Sequence, residues 1–236
     1  EDITLEIMDD EGELIRAYST KKWNEVMEAT NERDMATGFI PQGYSDALKK
    51  EAGLHRFYWD MRHAGTWDEN PRRAGRGGPM VAPGTYTVVL QVGDDRMDTT
   101  FELLPDPRLD EVGVSVADLV AQEELTLSVR DLYSKAKQLS SAVSASIKKE
   151  DKDRTEGQLE ALKQLHRELE TMEGRYRKPM LVSQIGYLYN MLNGADQRPG
   201  MDGVKRYEQL KSAYNNLLNR YETITEADAA YLRLDD

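Results

Sequence analysis

Residues 52–62 read AGLHRFYWDMR, and further along 83–87 read PGTYT. From Arg56 to Met61 polar positions alternate with Phe57, Trp59 and Met61, the period-2 pattern of a strand with one buried face. Pro83-Gly84 is a turn signal, and 85–92 (TYTVVLQV) is rich in the β-branched and aromatic residues that suit a pleated sheet. Two strands clamped by Trp59 and Tyr86 predict a small β-sandwich.

Working outward, 3–7 (ITLEI) alternates, 9–12 (DDEG) reads as a turn, and 14–18 (LIRAY) returns as a hairpin partner. The polar stretch 19–51 holds Trp23, Phe39 and Tyr44 without a clean period. It reads as an extended loop with one short helix over 22–30. A second loop spans 68–78 (DENPRRAGRGG), and a turn at 93–95 leads to a last strand over 99–104. Pro105 and Pro107 then end strand character, because proline cannot donate to a ladder. The domain boundary is placed there, giving a β unit over 1–107 and a helical unit over 108–236.

The second unit has helical periodicity almost throughout. Ser115 and Asp118 form a capping pair. Leu125, Val129, Leu132, Ala136, Leu139, Val143 and Ile147 then make one apolar stripe, broken by the charged run 148–154. A second stripe (Leu159, Leu162, Leu165, Leu169, Met172) ends near Gly174. Pro179 opens a third helix carrying Leu181, Ile185, Leu188 and Leu192, which Asn193-Gly194 closes. The last helix carries Val204, Tyr207, Leu210, Tyr214, Leu217 and Tyr221, its tyrosines seven residues apart on one seam. Four amphipathic helices with short connections predict an antiparallel bundle, the long first and last helices projecting as a hairpin. The fold class is therefore α+β in two domains, an Ig-like antiparallel β-sandwich followed by an antiparallel α-helical bundle or hairpin.

Composition narrows the function. The 236 residues carry a net charge of -12 with pI near 4.9. Residues 1–107 hold 12 basic and 21 acidic side chains, and 108–236 hold 19 and 22. That balance opposes nucleic-acid binding and a polybasic membrane anchor, both of which need clustered Lys and Arg. No run approaches the roughly 20 apolar residues of a membrane span. There are no cysteines, so disulfide and thiolate chemistry are absent. The chain opens Glu1-Asp2-Ile3 with neither an initiator Met nor a signal peptide, the pattern of a processed mature protein or a piece of a longer one.

The order ITLEIMDDEGELIR, AGLHRFYWDMR, GPMVAPGTYTVVLQVGDD and LPDPRL resembles the Ig-like module that follows β-propellers in bacterial sortilin-like, BNR-repeat "glycosyl hydrolase" proteins. The sandwich alone is similar to the Ig-like domain of flagellar-hook-capping type. The stretch DPRLDEVGVSVADLVAQEELTLSVRDLYSKA onward resembles the helical tail of the same propeller proteins. The Asp-box pattern S-x-D-x-G-x-x-W is absent, so the resemblance carries over neither a propeller nor a glycosidase site. It implies the scaffold, not an activity. The loops 19–51 and 68–78 receive no family role.

No candidate for chemistry survives scrutiny of its spacing. In 9–13 (DDEGE) Gly12 comes too early for a calcium loop, so a hairpin turn is the reading. His55, His63 and His166 lack metal-ligand spacing. Trp59 is read as sandwich core, not as a sugar platform, and no carboxylate pair stands out for glycosidase work. No cofactor is implied. The one concentrated basic patch is Arg72, Arg73 and Arg76, preceded by Trp67. These four are the candidate partner contacts, guanidinium groups suiting carboxylates or lipid phosphates. The tyrosine seam is read as core, with Tyr187, Tyr189 and Tyr231 as the alternative contact surface.

The expectation is a non-enzymatic, periplasmic or secreted interaction module that binds protein. Its concrete form is an extrinsic subunit docking on and stabilising a bacterial membrane-protein assembly. The alternative is a C-terminal accessory region, orienting or polymer-binding, of a secreted propeller hydrolase, with the preceding propeller as its partner.

Overall fold

The computed structural model describes residues 1–20, 48–49, 51–70, 73–149, 154–172, 177–226 and 229–234. Most of the loop 19–51, including the helix expected over 22–30, lies outside the described residues, as does Arg72.

The chain is α+β. Strands β1 (Ile3–Met8), β2 (Leu14–Ser19), β3 (Gly84–Val92) and β4 (Asp95–Leu103) form one antiparallel sheet in the order β2-β1-β3-β4. The β1–β2 connection is the turn expected from DDEG: Asp9 Oδ1 accepts from the amides of Glu11 (3.0 Å) and Glu13 (2.8 Å), and Gly12 takes φ 83°. Gly93, at φ 58°, turns β3 into β4. Register places Leu5, Ile7, Tyr18, Tyr86, Val88, Phe101 and Leu103 on one face, and these residues make the sheet's apolar cluster.

Opposite that face lies residues 52–62, and here the structure corrects the sequence reading. The strand expected over 56–61 does not form. Only one bridge, Arg62 to Met80, pairs this backbone, and Met61 turns away with φ 55°. The alternation is nevertheless physical. Phe57 meets the Tyr18 ring edge-on at 4.6 Å, and Trp59 meets Tyr86 at 5.6 Å and Phe101 at 6.1 Å. The segment runs from β2 towards β4, so Phe57 and Trp59 face the sheet while the backbone joins no strand before the bridge at Arg62. Trp59 is half-buried and packs against the sheet's apolar cluster, and its indole N–H donates to the Arg62 carbonyl at 3.1 Å.

A short turn, α1 (Arg108–Glu111), follows the two prolines. Helices α2 (Val116–Lys148), α3 (Glu156–Leu169), α4 (Leu181–Asn193) and α5 (Met201–Thr225) share one apolar core, closed by a 3-10 turn at Ala230–Leu232. Ser115 caps α2 in a reciprocal box with Asp118, and Thr155 with Gln158 does the same for α3. The apolar stripe read for α2 is buried from Val129 to Val143. Helix α3 ends earlier than its stripe implied, because Glu170 takes extended geometry and leaves Met172 beyond the helix and exposed. Tyr214 and Tyr221 are core and Tyr207 packs against it, as the seven-residue seam predicts.

Candidate functional site

Helix α2 has a second stripe that runs roughly 140° around its circumference from the apolar one. Glu123, Arg130, Ser134, Lys137, Ser141, Ser144 and Lys148 follow spacings of 7, 4, 3, 4, 3 and 4. Its first four members bond backbone and side-chain groups of residues 61–70 and 73–82, which we call the strap.

Glu123 does most at one end. His63 Nε2 donates to its Oε1 in a very short contact, and the Ala82 amide donates to its Oε2 at 3.0 Å. Arg130 reaches the Ala64 carbonyl (3.3 Å), Ser134 Oγ accepts from the Trp67 amide (3.0 Å), and Lys137 Nζ donates to Thr66 Oγ1 (2.8 Å). From α4, the Tyr189 hydroxyl and the Asn193 amide both donate to the Gly77 carbonyl, at 2.9 and 3.2 Å. On the sheet side, Arg16 donates to the His63 carbonyl at 3.0 Å. The strap therefore joins the sheet to the helices through mostly part-buried polar groups, although among the described residues Arg16 Nε stays buried without a partner.

Within the strap the backbone folds on itself as tightly as atoms allow. Gly65 donates to the Gly75 carbonyl (2.9 Å) and His63 to the Pro79 carbonyl (2.8 Å). A Cβ at Gly65 would lie 2.0 Å from the Arg76 carbonyl oxygen, and one at Gly78 would lie 1.9 Å from that of His63. These two positions admit only glycine because another strand of backbone occupies the space.

A cleft of about 480 Å³ opens between Trp67, Asp68, Glu69 and Arg73 of the strap, the later part of the polar stripe on α2, and His166 and Glu170 at the end of α3. Trp67 lines it. Arg73 also does, but its guanidinium is already clasped by Asp68, with Nη2 to Oδ1 at 2.9 Å and Nε to Oδ1 at 3.1 Å. Burial alone would raise the Asp68 carboxyl, but the Arg73 bonds and the Asn70 amide hold it below its usual value. Arg76 is exposed and points its charge at no described residue. Of the four contacts expected from sequence, Trp67 and Arg73 thus meet at one cleft, Arg76 stands outside it, and Arg72 lies outside the described residues.

Lys137 sits at the strap end of this cleft, its Nζ 4.7 Å from the Tyr133 ring centroid. Desolvation brings its pKa down to about 8, with Asp68 opposing the shift and Arg73 adding to it. Ser140 donates to Glu170 at 2.6 Å. Ser141 and Ser144 differ from Thr126, Ser128 and Ser134, which bond the carbonyl one turn back. Among the described residues neither has a hydrogen-bond partner. Sequence reading missed all of these α2 residues. The polar stripe is present in the spacing, but helical periodicity alone does not separate a bonding polar face from a solvated one.

Among the described residues no group of three or more His, Asp or Glu could hold a metal ion, and no helix is long and apolar enough to cross a membrane. No family model, no curated protein and no solved structure matches the chain.

Proposed function

We propose that the chain is a non-catalytic interaction module, working outside the cytoplasm as an extrinsic subunit that docks on and steadies a larger bacterial membrane-protein assembly. In this reading 1–107 is an Ig-like unit, 108–236 is an antiparallel bundle, and the strap locks the two into one presenting surface.

One observation carries the proposal. The segment that crosses the sheet holds Phe57 and Trp59 inward but sends Leu54 and Tyr58 outward, at 101% and 76% exposure. Met61 and Met80, on either side of the bridge at Arg62, are exposed as well. Large apolar groups held outward on a well-packed scaffold suit burial against a partner. Arg56, which donates to the Tyr58 hydroxyl at 3.2 Å, adds a cation that suits a polar rim.

The test is co-purification from detergent-solubilised membranes of the source cells with tagged full-length chain. A defined membrane assembly should be recovered with the wild type and lost with Leu54→Asp/Tyr58→Asp. Recovery of free monomer alone, or equal recovery by the double variant, would overturn the proposal.

A further inference from the structure

The polar stripe on α2 outlasts the strap. Its first four members are occupied by strap backbone and side chains, whereas Ser141, Ser144 and Lys148 continue the same face into the cleft without a partner among the described residues. Two hydroxyls and an ammonium are thus presented on one helical face, at the spacing that elsewhere on the helix holds a bound segment. Facing them are carboxylates that are not fully used. Among the described residues Glu69 has no partner and Glu170 accepts only from Ser140. A carboxylate can accept several hydrogen bonds.

The signs of these groups select a ligand. A simple anion would gain Lys148 and the serines but would meet Glu69, Glu170 and Asp68. A simple cation would meet Lys137, Lys148 and Arg73. A molecule with many hydroxyls and one carboxylate satisfies both sets, since its hydroxyls donate to Glu69 and Glu170 and its carboxylate accepts from Lys148 and Ser144. The indole of Trp67 offers a flat apolar wall against which the C–H face of a sugar ring can lie. The cleft, at about 480 Å³, falls in the size range of small-molecule sites. We infer that it binds a small polyhydroxylated carboxylic acid of the sugar-acid class, with Trp67 as platform and Ser141, Ser144 and Lys148 as donors.

The inference is independent of the docking surface and is tested on the full chain by amide and indole NMR titration with lactobionate, a two-unit sugar acid. Saturable shifts are expected at the Trp67 indole N–H, assigned with Trp67→Phe, and along 140–145. Ser141→Ala/Ser144→Ala should weaken binding roughly tenfold, the loss expected for two hydroxyl donors. Lys148→Met, an exposed change at the end of α2 that leaves the core untouched, should weaken it by a similar factor, and lactose should bind no better than this variant does. No saturable shift with lactobionate, equal binding by both variants, or equal binding of lactose, acetate or inorganic phosphate would each overturn the inference.

Discussion

Replacing Glu123 with alanine should be among the most damaging single changes on the surface of α2. The side chain is 16% exposed and accepts from two groups that have little other access to water, the ring of His63 and the amide of Ala82. Each hydrogen bond to a charged acceptor contributes about 1.5–3 kcal/mol, and the orphaned donors keep their desolvation penalty. Glu123→Ala should therefore cost about 3–5 kcal/mol, a large part of the about 5–15 kcal/mol that holds a typical domain folded. Glu123→Gln keeps an acceptor and should cost about half as much. The neighbouring Glu124 is exposed, so Glu124→Ala should stay within about 0.5 kcal/mol of wild type. Urea unfolding followed by far-ultraviolet circular dichroism for the helices, and by near-ultraviolet signal for the aromatic layer, reads both magnitude and coupling. The two signals should coincide in the wild type and separate in Glu123→Ala. A cost below about 1 kcal/mol, with coincident transitions, would refute the role given to the strap.

Three further outcomes follow from particular contacts. Lys137 has its folded pKa lowered from 10.5 to about 8, so the unfolded chain binds more protons between these values and stability should rise as pH climbs through that window. Allowing for partial solvent screening, the gain should be about 2 kcal/mol, absent in Lys137→Met, and a 13C-methyl titration should find one lysine with a midpoint near 8. Gly65→Ala and Gly78→Ala each drive a Cβ into backbone and should cost more than about 3 kcal/mol in denaturant melts, whereas Gly12→Ala meets open space and only left-handed strain, about 1 kcal/mol. Gln138 is buried with both side-chain polar atoms unpaired, so Gln138→Met should raise stability by about 1–2 kcal/mol, and a loss would refute that account.

What the sequence disclosed depended on whether a pattern names its own partner. The helices did so through their apolar stripes, caps and terminating residues, because helical hydrogen bonds are local and the stripe states which face is buried. The hairpin and β3 were equally plain. Residues 52–62 were not, since period 2 reports alternate burial and says nothing about whether the backbone is paired. The arginines stand out by their charge, but Arg73 is paired with Asp68 five residues before it, a pairing that density of charge conceals. The cleft could have been approached from α2 alone, where serines and lysines recur at helical spacing among alternating polar neighbours. That stripe meets its partners 41 to 71 residues away in the strap, a distance over which a single sequence gives no register.

Those long separations also set an order of assembly. The strap's contacts run from 41 residues, between Ala82 and Glu123, to 131, between Arg62 and Asn193. The helices and the β1–β2 and β3–β4 hairpins need only near neighbours to begin forming, whereas the strap needs both α2 and α4 in place before the groups that face them find partners. As the chain leaves the ribosome, the sheet and its cover of Phe57 and Trp59 are made first, and the polar bonds of the strap must wait for the helices. During that interval the groups that bond the helices, among them the His63 ring and the Gly77 carbonyl, stand without their partners. The joint that makes the finished molecule one body is thus its last part to set, and the interval before it sets is when the nascent chain is most open to aggregation.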